Sequence, residues 1–106
     1  TDFSNVFSKA GKSRKASING ISLRIRENGR PYNRIGIVVT KRFGNAVKRN
    51  RVKRHIREIY RNMKEKLRPG YDIVFILYPG EYKYETRREQ VYSLLTKAGL
   101  FDSLVP

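Results

Sequence analysis

Residues 41–68, KRFGNAVKRNRVKRHIREIYRNMKEKLR, hold the side chains whose types and spacing could do chemistry. Twelve of those 28 residues are Lys or Arg, and only Glu58 and Glu65 are acidic. Guanidinium and ammonium groups at this density bind phosphates through charge-assisted hydrogen bonds, and Arg adds a bidentate fork and a plane that stacks on bases. The spacing is helical. Asn50, Lys53, Arg54, Arg57, Arg61, Lys64 and Arg68 project within an arc of roughly 100° on a 3.6-residue wheel. Val52, Ile56, Ile59, Tyr60, Met63 and Leu67 occupy a similar arc on the opposite side. Val47 and Arg49 fall outside this phase, so the first turn is expected to bend or to send these side chains past the helix end. Charge runs on helices are usually solvated faces, but like charges at i, i+3 and i+4 repel and cost helix stability. A ribbon so unmixed in sign calls for a partner that neutralises it, and a polyphosphate suits it.

Protein-borne catalysis has little to work with. His55 is the sole histidine; on the wheel it lies away from both stripes, lacks a partner for general-base work and reads as a solvated helix residue. Glu81, Glu85 and Glu89 recur every fourth residue, but they follow Pro79-Gly80, are interleaved with Tyr82 and Tyr84, and read as surface charge. There is no Walker loop, GxSxG or HExxH motif. A protein nuclease needs carboxylates to hold its metals, and none is suitably arranged. No catalytic residue and no metal site is expected on this chain.

The elements that must position the ribbon follow from periodicity. A chain of 106 residues predicts a single domain over 1–106. With 24 basic and 9 acidic residues the net charge is +15, and residues 41–68 supply +10 of it (12 minus 2). Charge so concentrated suits a binding surface. The absence of Cys excludes disulfides, thiolate catalysis and Cys-based zinc sites. The apolar runs are too short to span a membrane, and the amino terminus shows no secretory pattern. A cytoplasmic location, no membrane partner and no obligate protein partner are expected.

Phe3, Val6, Phe7 and Ala10 predict a short amphipathic helix, capped by Asp2 and ended by Gly11. Phe3 and Phe7 read either as core residues or as stacking platforms for single-stranded bases. Residues 12–17 read as a polar loop. Ile21, Leu23 and Ile25 alternate with Ser22, Arg24 and Arg26, predicting a strand with one buried face. Asn28-Gly29 is a hairpin signal, with Ile35 to Thr40 as a returning, centrally placed strand. The long helix is expected to run until Pro69-Gly70 stops it. Tyr71 to Tyr78 reads as a central strand. Thr86 with Glu89 predicts a capping box before a helix that presents Val91, Leu94, Leu95 and Ala98 and ends at Gly99. The order is α-β-β-α-β-α, an α/β (α+β) two-layer sandwich around a mixed sheet.

The run Lys41-Arg42-Phe43-Gly44-Asn45-Ala46-Val47-Lys48-Arg49-Asn50-Arg51-Val52-Lys53-Arg54 closely resembles the RNR signature of the bacterial ribonuclease P protein component, [KR]-[KR]-x-G-x-A-V-x-R-N-R-x-K-R. Arg57-Glu58 matches the Arg-Glu pair that follows it. Asp2-Phe3 with Val6-Phe7, the strand Arg34 to Thr40, the strand beginning Tyr71-Asp72-Ile73-Val74 and the helix ending Lys97-Ala98-Gly99 are similar too. The resemblance implies a sandwich with a left-handed βαβ crossover, an exception to the usual hand. It implies as partners a large catalytic RNA and precursor tRNA, whose 5′ leader is removed by chemistry on RNA-bound Mg²⁺. It assigns RNA contact to Lys41, Arg42, Lys48, Arg49, Asn50, Arg51, Lys53, Arg54, Arg57 and Arg61. Phe3 and Phe7, with Arg24 and Arg26, are assigned to the leader-binding cleft. The pattern departs at Arg24, a place for an aromatic in relatives, and at Leu77-Tyr78-Pro79 in place of Ala-Arg-Pro. Size and charge alone suit a structural RNA-binding protein of ribosomal type equally well. The central motif is what favours the ribonuclease P reading over it and over a free-standing nuclease.

Overall fold

Among the described residues, four strands form one mixed sheet, with two α-helices packed on one of its faces. The computed structural model describes residues 13–101, so the helix expected over Phe3 to Ala10, with Phe3 and Phe7, lies outside the described residues. The strands are β1 (Arg14–Ile18), β2 (Ile21–Glu27), β3 (Arg34–Val39) and β4 (Tyr71–Leu77), in the order β1-β2-β4-β3. The helices are α1 (Ala46–Met63) and α2 (Tyr84–Lys97). β2 runs antiparallel to β1 and β4, whereas β3 runs parallel to β4. Thus β3, α1 and β4 make a parallel βαβ unit.

The core lies between sheet and helices. Ile21, Leu23 and Ile25 of β2 and Ile73, Phe75 and Leu77 of β4 point at Val52, Ile56, Ile59 and Tyr60 of α1 and at Val91, Leu94, Leu95 and Ala98 of α2. Gly99, with φ of 76°, ends α2 in a left-handed turn. There Leu100 N–H donates to Leu95 O at 3.0 Å and Gly99 N–H to Thr96 O at 3.0 Å.

Several expectations are corrected. Residues 14–18 form β1 rather than loop, paired Ala16 to Leu23 and Ile18 to Ile21. Only Ala16 and Ile18 of this edge strand reach the core, so its pattern is too polar to announce itself. The tight hairpin is Asn19-Gly20, where Gly20 has φ of 81°. Asn28-Gly29 does not pair β2 with β3, because β4 lies between them. β4 buries Ile73, Val74, Phe75 and Leu77; with apolar side chains on both faces it takes a central place, and β3 moves to the edge, leaving Val38 49% exposed. Asn28 instead organises its own loop, its Oδ1 accepting Arg30 N–H at 2.7 Å.

α1 ends at Met63, ahead of Pro69, and passes through a 3₁₀ turn at Lys64–Lys66. Leu67 is then extended and bridges to Phe101, which buries it in the core by a route a continued helix would not offer. α2 starts at Tyr84 after Lys83, so Thr86 lies inside the first turn and no capping box forms. Arg87 and Gln90 share the phase of Val91 and Leu94 and are buried on the inner face of α2.

Candidate nucleic-acid interface

Local chemistry sets the start of α1. After β3 the chain makes a 3₁₀ turn at Lys41–Phe43, with the Lys41 and Arg42 side chains exposed. Gly44 takes φ of 153°, and Asn45 caps the helix, its Oδ1 accepting Lys48 N–H at 2.9 Å. Arg49 is half-buried and donates from its guanidinium to Gly44 O at 3.2 Å. The first turn does not bend. Regular helix from Ala46 places Val47 on the solvent side, 64% exposed, and sends Arg49 back over the preceding loop. Asn45→Ala is expected to cost about 1 kcal/mol, lowering the midpoint of thermal unfolding by roughly 4–8 °C for a domain this small, with little change in the fold by circular dichroism.

The ribbon forms as its spacing demands. Asn50, Arg54, Arg57 and Arg61 are exposed along α1, and Lys53 is half-buried at its border. Lys64 and Arg68 are exposed too, but they lie past the end of α1, on the 3₁₀ turn and in the loop beyond, where helical spacing no longer sets their direction. Among the described residues no carboxylate pairs with Arg54, Arg57 or Arg61. Lys48 alone of the motif approaches one, Glu81 at 3.9 Å, and both side chains are exposed, so solvent screens the pair. Like charges thus stand unneutralised on a rigid helix anchored by a buried stripe.

The other assigned residues fall elsewhere. Lys48 and Arg51 face a cleft between the start of α1 and the loop entering α2, beside Phe43, His55, Tyr82 and Arg87. Arg24 and Arg26 alternate with core residues on β2, so they occupy the sheet face turned away from both helices. They are separated from the ribbon by the thickness of the sandwich. Phe3 and Phe7 lie outside the described residues. His55 is not simply solvated: it is half-buried, with its ring edge-on to Tyr84 at 5.9 Å and 89°. No group of three or more His, Cys, Asp or Glu among the described residues is placed to hold a metal, and no helix there is long and apolar enough to cross a membrane.

Two charged groups escaped sequence reasoning. Asp72 is 3% exposed and accepts from Arg34 Nε at 2.7 Å, from a second Arg34 nitrogen at 2.8 Å and from Asn28 Nδ2 at 3.1 Å. Arg87 is 2% exposed. Its position was legible: it precedes Val91 by four residues and so shares the apolar face of α2.

Comparison with known proteins gives the chain's family and agrees with its fold. The family model described as ribonuclease P matches residues 1–99. The ribonuclease P protein component of Alkaliphilus oremlandii is 38% identical over 102 residues, covering 93% of this chain and 90% of the relative. That of Petrotoga mobilis is 48% identical over 75 residues, covering 71% of this chain but only 61% of the relative. The solved ribonuclease P protein from Thermotoga maritima superposes with a TM-score of 0.78 at 34% identity, covering 91% of this chain and 90% of that one. The Staphylococcus aureus protein gives a TM-score of 0.84 at 26% identity, over 95% and 92% of the two chains. A family model matched over residues 1–99 and a relative 38% identical over 93% of this chain together show that the chain belongs to the ribonuclease P protein family.

Proposed function

We propose that this chain is the protein subunit of a ribonucleoprotein ribonuclease P, and that it helps a catalytic RNA remove the 5′ leader from precursor tRNA. The observation that carries this is the row Arg54, Arg57 and Arg61, fixed on α1 and without carboxylate partners among the described residues. Docked on RNA, the row screens phosphate against phosphate where ribozyme and substrate meet. Lys41 and Arg42, exposed on the turn before the helix, add two more cations for RNA phosphates. The Mg²⁺ ions that carry the hydrolysis belong to the RNA, and the protein supplies binding and position.

Phe3, Phe7, Arg24 and Arg26 are proposed to hold the single-stranded leader. The opposite sheet face supports this division, because Arg24 and Arg26 then address a strand that the ribbon does not reach. Stacking contributes roughly 1–3 kcal/mol per base, and only the precursor carries a leader. Phe7→Ala is expected to weaken binding of precursor tRNA to the assembled ribonucleoprotein by roughly 5- to 100-fold while leaving mature tRNA unaffected. Equal weakening of both ligands would contradict the leader assignment.

A further inference from the structure

The cleft between the start of α1 and the loop entering α2 includes Lys48 and Arg51, which the family motif assigns to RNA contact, but its other walls, Phe43, His55, Tyr82 and Arg87, have no part in that reading. Its volume is about 300 Å³, and its walls include Phe43, Lys48, Arg51, His55, Tyr82 and Arg87. Arg87 is the unusual member. It is 2% exposed, and among the described residues no carboxylate pairs with it. Its guanidinium donates to Gln90 Oε1 at 3.3 Å and to Gly80 O at 3.4 Å, both long bonds. Burial pushes its pKa below the ordinary arginine value, with Tyr82 acting in the opposite sense.

The surroundings hold this cation in place. The Tyr82 ring lies 4.5 Å from the guanidinium carbon. A Cβ on Gly20 would come within 2.7 Å of that ring and one on Gly80 within 2.8 Å, so two glycines make room for it. Gln90 in turn donates to Asn19 O at 3.0 Å, tying the cluster to the β1–β2 turn. A buried charge without a counter-charge is costly, and an apolar side chain would fill the same space at less cost. An anion entering the cleft offsets that cost. Lys48 and Arg51 add two more cations to the walls, against one carboxylate, Glu81, which is 91% exposed at its side chain and lies 3.9 Å from Lys48.

We propose that this cleft is a nucleotide subsite, in which Arg87, Arg51 and Lys48 hold a phosphate and the rings of Phe43 and His55 flank the base. The volume favours a nucleotide over a bare phosphate ion, which would leave most of the cleft unfilled. Aromatic walls beside cations suit a base joined to a phosphate. The subsite does not rest on docking of the ribbon to RNA, since Arg87 and Tyr82 lie on α2 and its approach. The nucleotide comes either free or as an unpaired residue of an RNA.

The test is an NMR titration of the full chain with UMP, inorganic phosphate and a short oligouridylate. UMP is expected to shift the His55 ring and Gly80 amide signals saturably, and inorganic phosphate to do so more weakly. Arg87→Leu should weaken this response roughly 10-fold, the loss of about one charge-assisted hydrogen bond. Signals of Arg54 and Arg57 should respond alike in both proteins. Arg87→Leu is expected to fold, and His55→Ala gives an independent probe that should narrow the preference for UMP over phosphate. Tighter binding of oligouridylate than UMP supports the subsite with RNA as the source, and the reverse supports it with a free nucleotide. UMP shifts confined to the ribbon, an unchanged response in Arg87→Leu, or phosphate matching UMP in the wild-type chain would overturn the subsite while leaving ribbon docking intact.

Discussion

The triple variant Arg54→Ala, Arg57→Ala, Arg61→Ala is expected to lose roughly 100-fold in affinity for ribonuclease P RNA at physiological salt. The slope of log affinity against log salt should become shallower by about 3. Each phosphate contact releases close to one counterion, so three lost contacts remove about three counterions from the equilibrium. The effect is expected in binding and not in folding. All three side chains are exposed, and α1 is anchored by Val52, Ile56, Ile59 and Tyr60 on its other side. Removing like charges at i+3 and i+4 should even raise helix stability by a few tenths of a kcal/mol. Filter-binding or fluorescence titrations across a salt series read the first quantity, and thermal unfolding reads the second. An unchanged salt slope would remove the ribbon from the interface.

Asp72→Ala is expected to destabilise the fold by about 3 kcal/mol, near the lower end of the range for breaking a buried pair because Arg34 keeps some contact with water. One carboxylate here ties three strands: Asn28 follows β2, Arg34 opens β3 and Asp72 lies near the start of β4. Its removal leaves the Arg34 and Asn28 donors without this acceptor. The dependence on acid identifies the cause. Burial opposes the charge of Asp72, but the hydrogen bonds from Arg34 and Asn28 and the charges of Arg34 and Arg26 prevail, so its pKa falls below the ordinary value of 3.8. The unfolded chain therefore takes up this proton first as pH falls. The stabilisation is complete above the ordinary value and drains away as pH drops through the lower, native one. Denaturant unfolding from neutral pH into that acidic window should show a fall for the wild-type chain that Asp72→Ala lacks. Parallel curves for the two proteins would assign the stability elsewhere.

What could be read without coordinates was whatever is local and periodic. The stripe Val52, Ile56, Ile59 and Tyr60 repeats at helical spacing, and all four side chains are buried. The opposite side is legible because its charges share one sign. The run YDIVFIL of β4 is apolar on both faces and takes the sheet's interior. Sheet order was not legible, since it depends on partners far apart in sequence. Asn28-Gly29 turns the chain as its residue types require, yet the neighbour of β2 comes from residues 71–77. β1 escaped notice because an edge strand needs only Ala16 and Ile18 for its contact with the core.

The site was legible to the same degree. A motif assigned as one surface divides in space: Arg54, Arg57 and Arg61 point outward, Arg49 folds back onto Gly44, and Lys48 and Arg51 turn toward the cleft. Helical phase separates these groups, whereas the motif reads them as one run. Arg87 was missed because an Arg among Thr86, Arg88 and Glu89 looks like surface charge; only its phase with Val91, Leu94 and Leu95 marks it as internal.

Cleavage of precursor tRNA by ribonuclease P RNA at reduced Mg²⁺, with and without this chain, tests the central claim most directly. Added protein is expected to restore removal of the 5′ leader under conditions where the RNA alone is nearly inactive, and protein without RNA is expected to cleave nothing. Equal cleavage with and without the chain, or cleavage by the chain on its own, would contradict the account.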